Sequence, residues 1–234
     1  MSADPPAALP SPVRLVFFTQ TFGCETCLQA RQVVDDLAGR SARVSVEEHN
    51  LVLDREQAAA FGIDRAPGIA IVGPRDLGLR YYGTPAGHEL RSLADAVALA
   101  GGAAGAGLAP ESLAALAALD RPLDIKVFVT AACSLCPQTV GLAWRLAAAS
   151  PRVTASVIEA TEFPELVQRY RISGVPKTVI DDRTEILGSL PEDAFVQAVL
   201  QADFQGAHGA PRRERRGAVG SPQADAGGSG RSPV

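Results

Sequence analysis

Two pairs of cysteines have the spacing of reactive thiol groups, and they are the only cysteines in the 234-residue chain. The first pair, Cys24 and Cys27, lies in "FGCETCLQA", and the second, Cys133 and Cys136, lies in "TAACSLCPQT". In each pair two residues separate the cysteines, and a sequence of helical character follows. Two such pairs can bind one metal ion together, or each can form a redox centre of its own.

A cysteine at the start of a helix is expected to be reactive. The free backbone N–H groups and the helix dipole stabilise an anion there, so the thiol pKa falls, to about 3.5–7.5 at known sites. We therefore assign Cys24 and Cys133 as the attacking thiolates. Cys27 and Cys136, which follow inside the helix, would resolve the mixed disulfide.

The residues between the cysteines predict that the two centres differ. The first pair encloses Glu25, whose negative charge opposes the lowering of the thiol pKa. The second pair encloses no charge. The second centre is therefore predicted to hold the more nucleophilic thiolate and to be the main one.

The metal hypothesis is the less favoured one. In zinc sites the two pairs are usually about 15–20 residues apart, whereas Cys27 and Cys136 are 109 positions apart. A zinc site, or an iron–sulfur cluster bridged between two chains, stays open as an alternative. No metal and no bound cofactor is predicted.

The same offset of 109 positions relates other features, which indicates two copies of one module. Pro67 and Pro176 are related by it, as are Phe61 and Tyr170. Each copy reads as strand, cysteine pair, helix, strand, short helix, proline, two strands and a final helix, which predicts an α/β unit with a central mixed sheet flanked by helices. The predicted domains are a disordered N-terminus at 1–12, the first unit at 13–105, the second unit at 106–204 and a disordered tail at 205–234.

The proline of each copy comes directly before an apolar strand. A proline directly before a strand that must pair is a candidate for a cis peptide bond in a turn, and an ordinary trans proline in a loop is the alternative. We expect Pro67 and Pro176 to lie beside the cysteines of their own units. The preceding residues, Ala66 and Val175, would then offer backbone hydrogen bonds to an incoming disulfide segment.

A C-x-x-C at a helix start with a proline before the third strand resembles the thioredoxin fold. Two such units in tandem resemble the protein disulfide oxidoreductases, also called glutaredoxin-like proteins. The matching stretches include "GLRYYGTPAGHEL" and "EATEFPELVQRYRISGVPKTVI", and the resemblance covers about residues 13–203. It implies a thiol–disulfide oxidoreductase that acts on protein disulfides and receives electrons from a flavoenzyme of the thioredoxin reductase kind.

The chain departs from that family at the proton relay. The buried aspartate that thioredoxins carry on the first strand is replaced by Phe18 and Val127. The resemblance leaves Glu48 and Glu159, at the end of the second strand of each unit, as candidates to relay protons to the resolving thiol. A solvated carboxylate at a strand end is the alternative interpretation of both.

A dedicated electron-relay module for a partner such as a peroxidase is the rival function. Flavin-linked peroxide reductases carry a similar tandem unit whose first half lacks cysteines, so Cys24 and Cys27 count against that variant. The net charge of −4 and a pI of about 5.4 predict no affinity for nucleic acid or for an anionic membrane. The N-terminus has no secretory pattern, and a cytoplasmic location is expected.

Overall fold

The computed structural model describes residues 9–208. The elements in chain order are β1 (Val13–Thr19), α1 (Cys27–Ala38), β2 (Val44–Asn50), α2 (Arg55–Phe61), β3 (Gly68–Val72), β4 (Asp76–Tyr82), α3 (Glu89–Ala100), α4 (Pro110–Ala117), β5 (Leu123–Val129), α5 (Cys136–Ala149), β6 (Val153–Glu159), a 3-10 turn (Ala160–Glu162), α6 (Pro164–Arg169), β7 (Lys177–Ile180), β8 (Thr184–Leu187) and α7 (Glu192–His208). The predicted order of elements is confirmed in both halves.

Alternation of side chains along the strands explains why helices cover both faces of the sheet. In β1, Leu15 and Phe17 are buried in one core, and Val16 and Phe18 are buried in the other. Successive side chains of a strand point to opposite faces, so a continuous apolar strand needs cover on both. Helices α1, α3, α4, α5 and α7 cover one face, and α2 and α6 cover the other.

All eight strands form one sheet, in the order β2-β1-β3-β4-β6-β5-β7-β8. The two halves are joined by parallel pairing of β4 with β6, in a register that sets Leu79 opposite Ala155 and Tyr82 opposite Ile158. The predicted mixed sheet of each unit is confirmed. Their fusion was not predicted, and it removes one unpaired strand edge from each half.

Some residues that the sequence assigned to the two disordered ends belong to the described structure. Residues 9–12 were expected to be disordered, but Leu9 is buried and the Ser11 N–H donates to the Gly101 carbonyl at 3.0 Å. The tail was expected from residue 205, but α7 continues to His208. Asp203 anchors this end because its carboxylate accepts from the Asp120 N–H at 3.2 Å.

The remaining residues of the two predicted disordered ends, 1–8 and 209–234, lie outside the described part of the chain. The division into units at 105 and 106 falls in the loop between α3 and α4 and stays a prediction. Between residues 9 and 208 no helix is both long enough and apolar enough to cross a membrane.

Candidate active site

Each cysteine pair forms a disulfide within itself, Cys24 with Cys27 and Cys133 with Cys136. The pairs follow β1 and β5, which run in the same direction, so both disulfides lie at the same end of the strands. Strands β3, β4 and β6 separate β1 from β5, which places the two strands about 19 Å apart at 4.8 Å per strand. This spacing is far larger than the distance of about 2.3 Å between a zinc ion and a cysteine sulfur, so it argues against one metal ion shared by both pairs.

The helices begin later than predicted. Helix α1 starts at Cys27 and α5 at Cys136, so the second cysteine of each pair opens the helix and the first lies in the turn before it. Cys27 and Cys136 are buried, whereas Cys24 and Cys133 are partly exposed. An incoming disulfide can therefore reach the first cysteine of each pair more easily than the second.

The two prolines have the cis peptide bonds that the sequence predicted. The Ala66–Pro67 and Val175–Pro176 peptide bonds are both cis. Ala66 and Pro67 line a cleft together with Cys24. Val175 and Pro176 come directly before β7, as Ala66 and Pro67 come directly before β3. Substrate binding by these residues remains a proposal.

The cleft at the first centre has a volume of about 530 Å³, and both halves of the chain form its walls. The first half contributes Gly23–Thr26 with Ala66 and Pro67, and the second half contributes Thr161, Glu162 and Pro164. The Glu162 carboxylate joins the two walls, since it accepts from the Thr26 hydroxyl at 2.5 Å and from the Thr84 N–H at 2.7 Å. No local pattern in the sequence indicates this composite site, because its two walls come from distant parts of the chain.

The two predicted relay carboxylates lie in different environments. Glu48 is half-exposed and forms an ion pair with Arg31 of α1. Glu159 is buried and accepts from the Thr161 N–H at 2.9 Å, so it caps the 3-10 turn that carries Glu162. The hydrogen bonds of both carboxylates thus go to groups other than the cysteines, and a relay role for either remains a proposal.

A third carboxylate, Glu89, was not identified from the sequence. Glu89 begins α3, which packs against α5. Helix α3 follows the end of β4 and α5 follows the end of β5, and these two strands run in the same direction. Glu89 therefore lies at the same end of this helix pair as Cys136. The segment before Glu89 touches the loop before Cys133, since the His88 N–H donates to the Ala131 carbonyl at 3.0 Å.

Burial dominates the electrostatics of Glu89. The residue has no exposed surface, and neither carboxylate oxygen has a well-formed hydrogen bond in the described part of the chain. Burial in a low-dielectric interior disfavours the charged form. It raises the pKa of Glu89 to about 7; the nearby Ser92 hydroxyl opposes the rise and the negative charge of Glu159 adds to it.

Tyr81 shows that several acidic side chains converge here. Burial raises the pKa of Tyr81 well above its usual value, and the charges of Glu89, Glu159 and Glu162 contribute in the same direction. The region between the two centres thus holds three carboxylates. One of them, Glu89, titrates near neutral pH. The sequence signal for it was a glutamate in "GTPAGHEL", where the glycine before His88 allows a close approach to Ala131.

Comparisons with known proteins agree with this geometry. Residues 123–201 match the family model of the thioredoxin domain. An alkyl hydroperoxide reductase component of Xanthomonas campestris pv. phaseoli is 27% identical over 158 residues, which cover 66% of this chain and 30% of that protein. The chain therefore spans less than a third of the length of this relative.

Two solved structures share the tandem architecture. AhpF, an alkyl hydroperoxide reductase component of Enterococcus faecalis, superposes with a TM-score of 0.75 at 27% identity, covering 81% of this chain and 91% of that one. A protein disulfide oxidoreductase from Aeropyrum pernix superposes with a TM-score of 0.78 at 24% identity, covering 85% and 88%. The second likeness concerns the fold alone. Residues 123–201 are therefore similar to a thioredoxin domain, and the tandem α/β architecture with a disulfide at each helix start is similar to that of both solved structures.

Proposed function

We propose that this chain exchanges dithiols and disulfides with protein substrates through both C-x-x-C centres, without a bound cofactor. The observation that carries the proposal is the pairing, at each centre, of a partly exposed cysteine with a buried cysteine that opens a helix. The partly exposed first cysteine can reach and attack a substrate disulfide. The buried sulfur is held beside it to complete the exchange.

The reaction at the second centre proceeds in two exchanges. The Cys133 thiolate attacks one sulfur of a substrate disulfide, which forms a mixed disulfide and releases one substrate thiolate. The Cys136 thiol then loses its proton and its thiolate attacks the Cys133 sulfur. This forms the Cys133–Cys136 disulfide and releases the second substrate thiolate. Two electrons pass to the substrate, and the two released thiolates take up protons.

Glu89 is our candidate to accept the proton from Cys136. A general base works best when its pKa lies near the pH of operation, and the pKa of Glu89 is raised to about 7. Glu89 begins α3 and Cys136 begins α5, and the two helices pack against each other. Glu89 therefore lies at the same end of this helix pair as the buried thiol of Cys136. Glu159 has an indirect part in this proposal because its charge helps to raise the pKa of Glu89.

The second centre is proposed as the main one. Glu25 and Glu162 both line the cleft at the first centre. Negative charge close to Cys24 disfavours its thiolate, and thiolate is the attacking species. Between the cysteines of the second centre stand Ser134 and Leu135, which carry no charge.

The partners follow from the reaction class. We propose disulfide-containing proteins as substrates and a flavoenzyme of the thioredoxin reductase kind as the electron donor. Reversible cycling of the thiols requires a reducing compartment, which favours the cytoplasm. A second candidate function is a dedicated relay to a peroxidase. It is favoured by the similarity to components of alkyl hydroperoxide reductases.

Reduction of insulin disulfides with dithiothreitol as electron source tests the proposal. The wild-type chain is compared with Cys24→Ser and with Cys133→Ser. We expect Cys133→Ser to abolish most turnover and Cys24→Ser to leave most of it. Wild-type protein without activity towards insulin, but with rapid electron transfer to a purified peroxidase, would favour the relay function instead.

A further inference from the structure

The cleft at the first centre is acidic and is built from both halves of the chain. Of the nine residues that line it, Glu25 and Glu162 are acidic and none is basic. Arg65, next to Ala66 in the chain, is paired with Asp64 at 2.7 Å and with Glu165 at 3.6 Å. Its positive charge is therefore offset by two further carboxylates near the cleft.

Glu162 is held in a fixed position on the wall opposite Cys24. One of its oxygens accepts from the Thr26 hydroxyl and the other from the Thr84 N–H. Each carboxylate oxygen can accept more than one hydrogen bond, so Glu162 can still bind a cationic side chain in the cleft. Glu25 is exposed and adds a second negative charge next to Cys24.

Exposed apolar side chains lie close to the first cysteine pair in the chain or beside the end of β1. Phe22 is 87% exposed and Leu28 is 85% exposed, and they flank the cysteine pair on either side. Val52 and Leu53 are also exposed, and the hydrogen bond from the Leu51 N–H to the Thr19 carbonyl, 2.7 Å long, holds their loop beside the end of β1. Exposed apolar side chains around a redox disulfide indicate contact with a polypeptide.

We infer that the first centre selects polypeptide disulfides with a basic residue next to the cysteine, and that Glu162 and Glu25 recognise that residue. The inference rests on the proposed exchange activity and names a substrate class for one of the two centres. The exposed apolar side chains near the cysteine pair, Phe22, Leu28, Val52 and Leu53, take the neighbouring side chains of the same segment. Glutathione disulfide, a small anionic substrate, would be disfavoured at this centre.

Two single-centre proteins and two peptides test this. Cys133→Ser with Cys136→Ser leaves the first centre, and Cys24→Ser with Cys27→Ser leaves the second. Each full-length protein is reduced, freed of reductant and mixed with one of two peptide disulfides of equal length. The cysteine is flanked by arginines in one peptide and by glutamates in the other. The single-turnover rate constants give an arginine-to-glutamate preference for each protein.

We expect the preference of the first centre to exceed that of the second by about tenfold at low ionic strength, the scale of two carboxylates acting on a partly desolvated cation. Dividing by the preference of the second centre removes differences in the intrinsic reactivity of the peptides. The excess should shrink at about 0.5 M salt, because exposed charges are screened over about 10 Å already at 0.1 M salt. It should also shrink about threefold in Glu25→Gln and in Glu162→Gln.

The exposed Glu111→Gln on α4 is the matched control, since it removes one negative charge away from the cleft and should leave the preference unchanged. Glu25→Gln keeps the test decisive if Glu162→Gln perturbs folding, because Glu25 is exposed. Equal preferences at the two centres, or a preference that survives both substitutions, would overturn the inference. If neither protein reduces either peptide, the proposed exchange activity fails, and this inference fails with it.

Discussion

Replacing Glu89 by glutamine should change how the stability of the protein depends on pH. The pKa of Glu89 is raised from 4.5 to about 7, mainly by burial. A raised pKa means that folding favours the protonated carboxyl. The contribution to stability is fully present below pH 4.5, and it is lost as the pH rises through about 7. The charged form then stays buried at a cost.

The size of this loss follows from the two pKa values. They differ by 2.5, from 7 − 4.5, and one unit corresponds to about 1.4 kcal/mol, which gives about 3 kcal/mol. Glutamine does not titrate, so the variant lacks this loss. Relative to the wild type, Glu89→Gln should gain about 3 kcal/mol between about pH 4 and pH 8. For a chain of this size that corresponds to roughly 6–12 °C in Tm.

Urea unfolding of the oxidised protein at several pH values measures the difference. Keeping both disulfides oxidised prevents the thiols from contributing to the titration. The exposed Glu111→Gln serves as the control and should follow the wild type at every pH. A difference between wild type and Glu89→Gln that stays constant from about pH 4 to pH 8 would refute the burial argument, and with it the assignment of Glu89 as a base near neutral pH.

Three further substitutions separate local from long-range effects. Gly83→Ala should destabilise the fold by about 1–3 kcal/mol in thermal unfolding, because Gly83 has φ +99° and an added Cβ would lie 2.7 Å from the Cβ of Glu159; a loss below about 0.5 kcal/mol would contradict this packing. Glu48→Gln should change the exchange rate less than about twofold and the stability by no more than about 1 kcal/mol, since the Arg31 pair is surface-exposed, and a rate about tenfold slower would restore Glu48 as a relay. Trp144 is the only tryptophan, is buried in α5, and donates its indole N–H to the Ala155 carbonyl at 3.2 Å. Trp144→Phe should therefore abolish the tryptophan fluorescence and destabilise the protein by about 1–3 kcal/mol in urea unfolding, because this hydrogen bond and part of the packing are lost; unchanged stability would contradict that role.

The sequence was most informative where neighbours along the chain decide the structure. The apolar run of β1 and the helical character after each cysteine pair depend on residues within a few positions of one another. The offset of 109 that relates the cysteine pairs and the prolines indicated two copies of one unit, and the structure confirms the repeated order of elements. Ala66–Pro67 and Val175–Pro176 were expected to be cis from their position before an apolar strand, and both are.

The sequence was least informative about side chains whose environment is assembled from distant segments. Glu48 and Glu159 occupy equivalent positions in the two repeats, yet one is half-exposed and the other is buried. Because the two residues occupy equivalent positions, the repeat predicts the same degree of burial for both. Their burial differs because β4 pairs with β6: Glu159 ends the interior strand β6, whereas Glu48 is on the edge strand β2.

The sequence by itself therefore determined the chemistry and the unit: four thiols in two C-x-x-C pairs, each at the helix start of a repeated α/β module. The tertiary structure decided what surrounds those thiols. Fusion of the two sheets placed Glu162 on the wall of the first cleft and buried Glu89 beside the start of α5. The physical reason is that burial and charge depend on contacts between residues far apart in the chain, whereas helix starts, strand periods and turns depend on close neighbours.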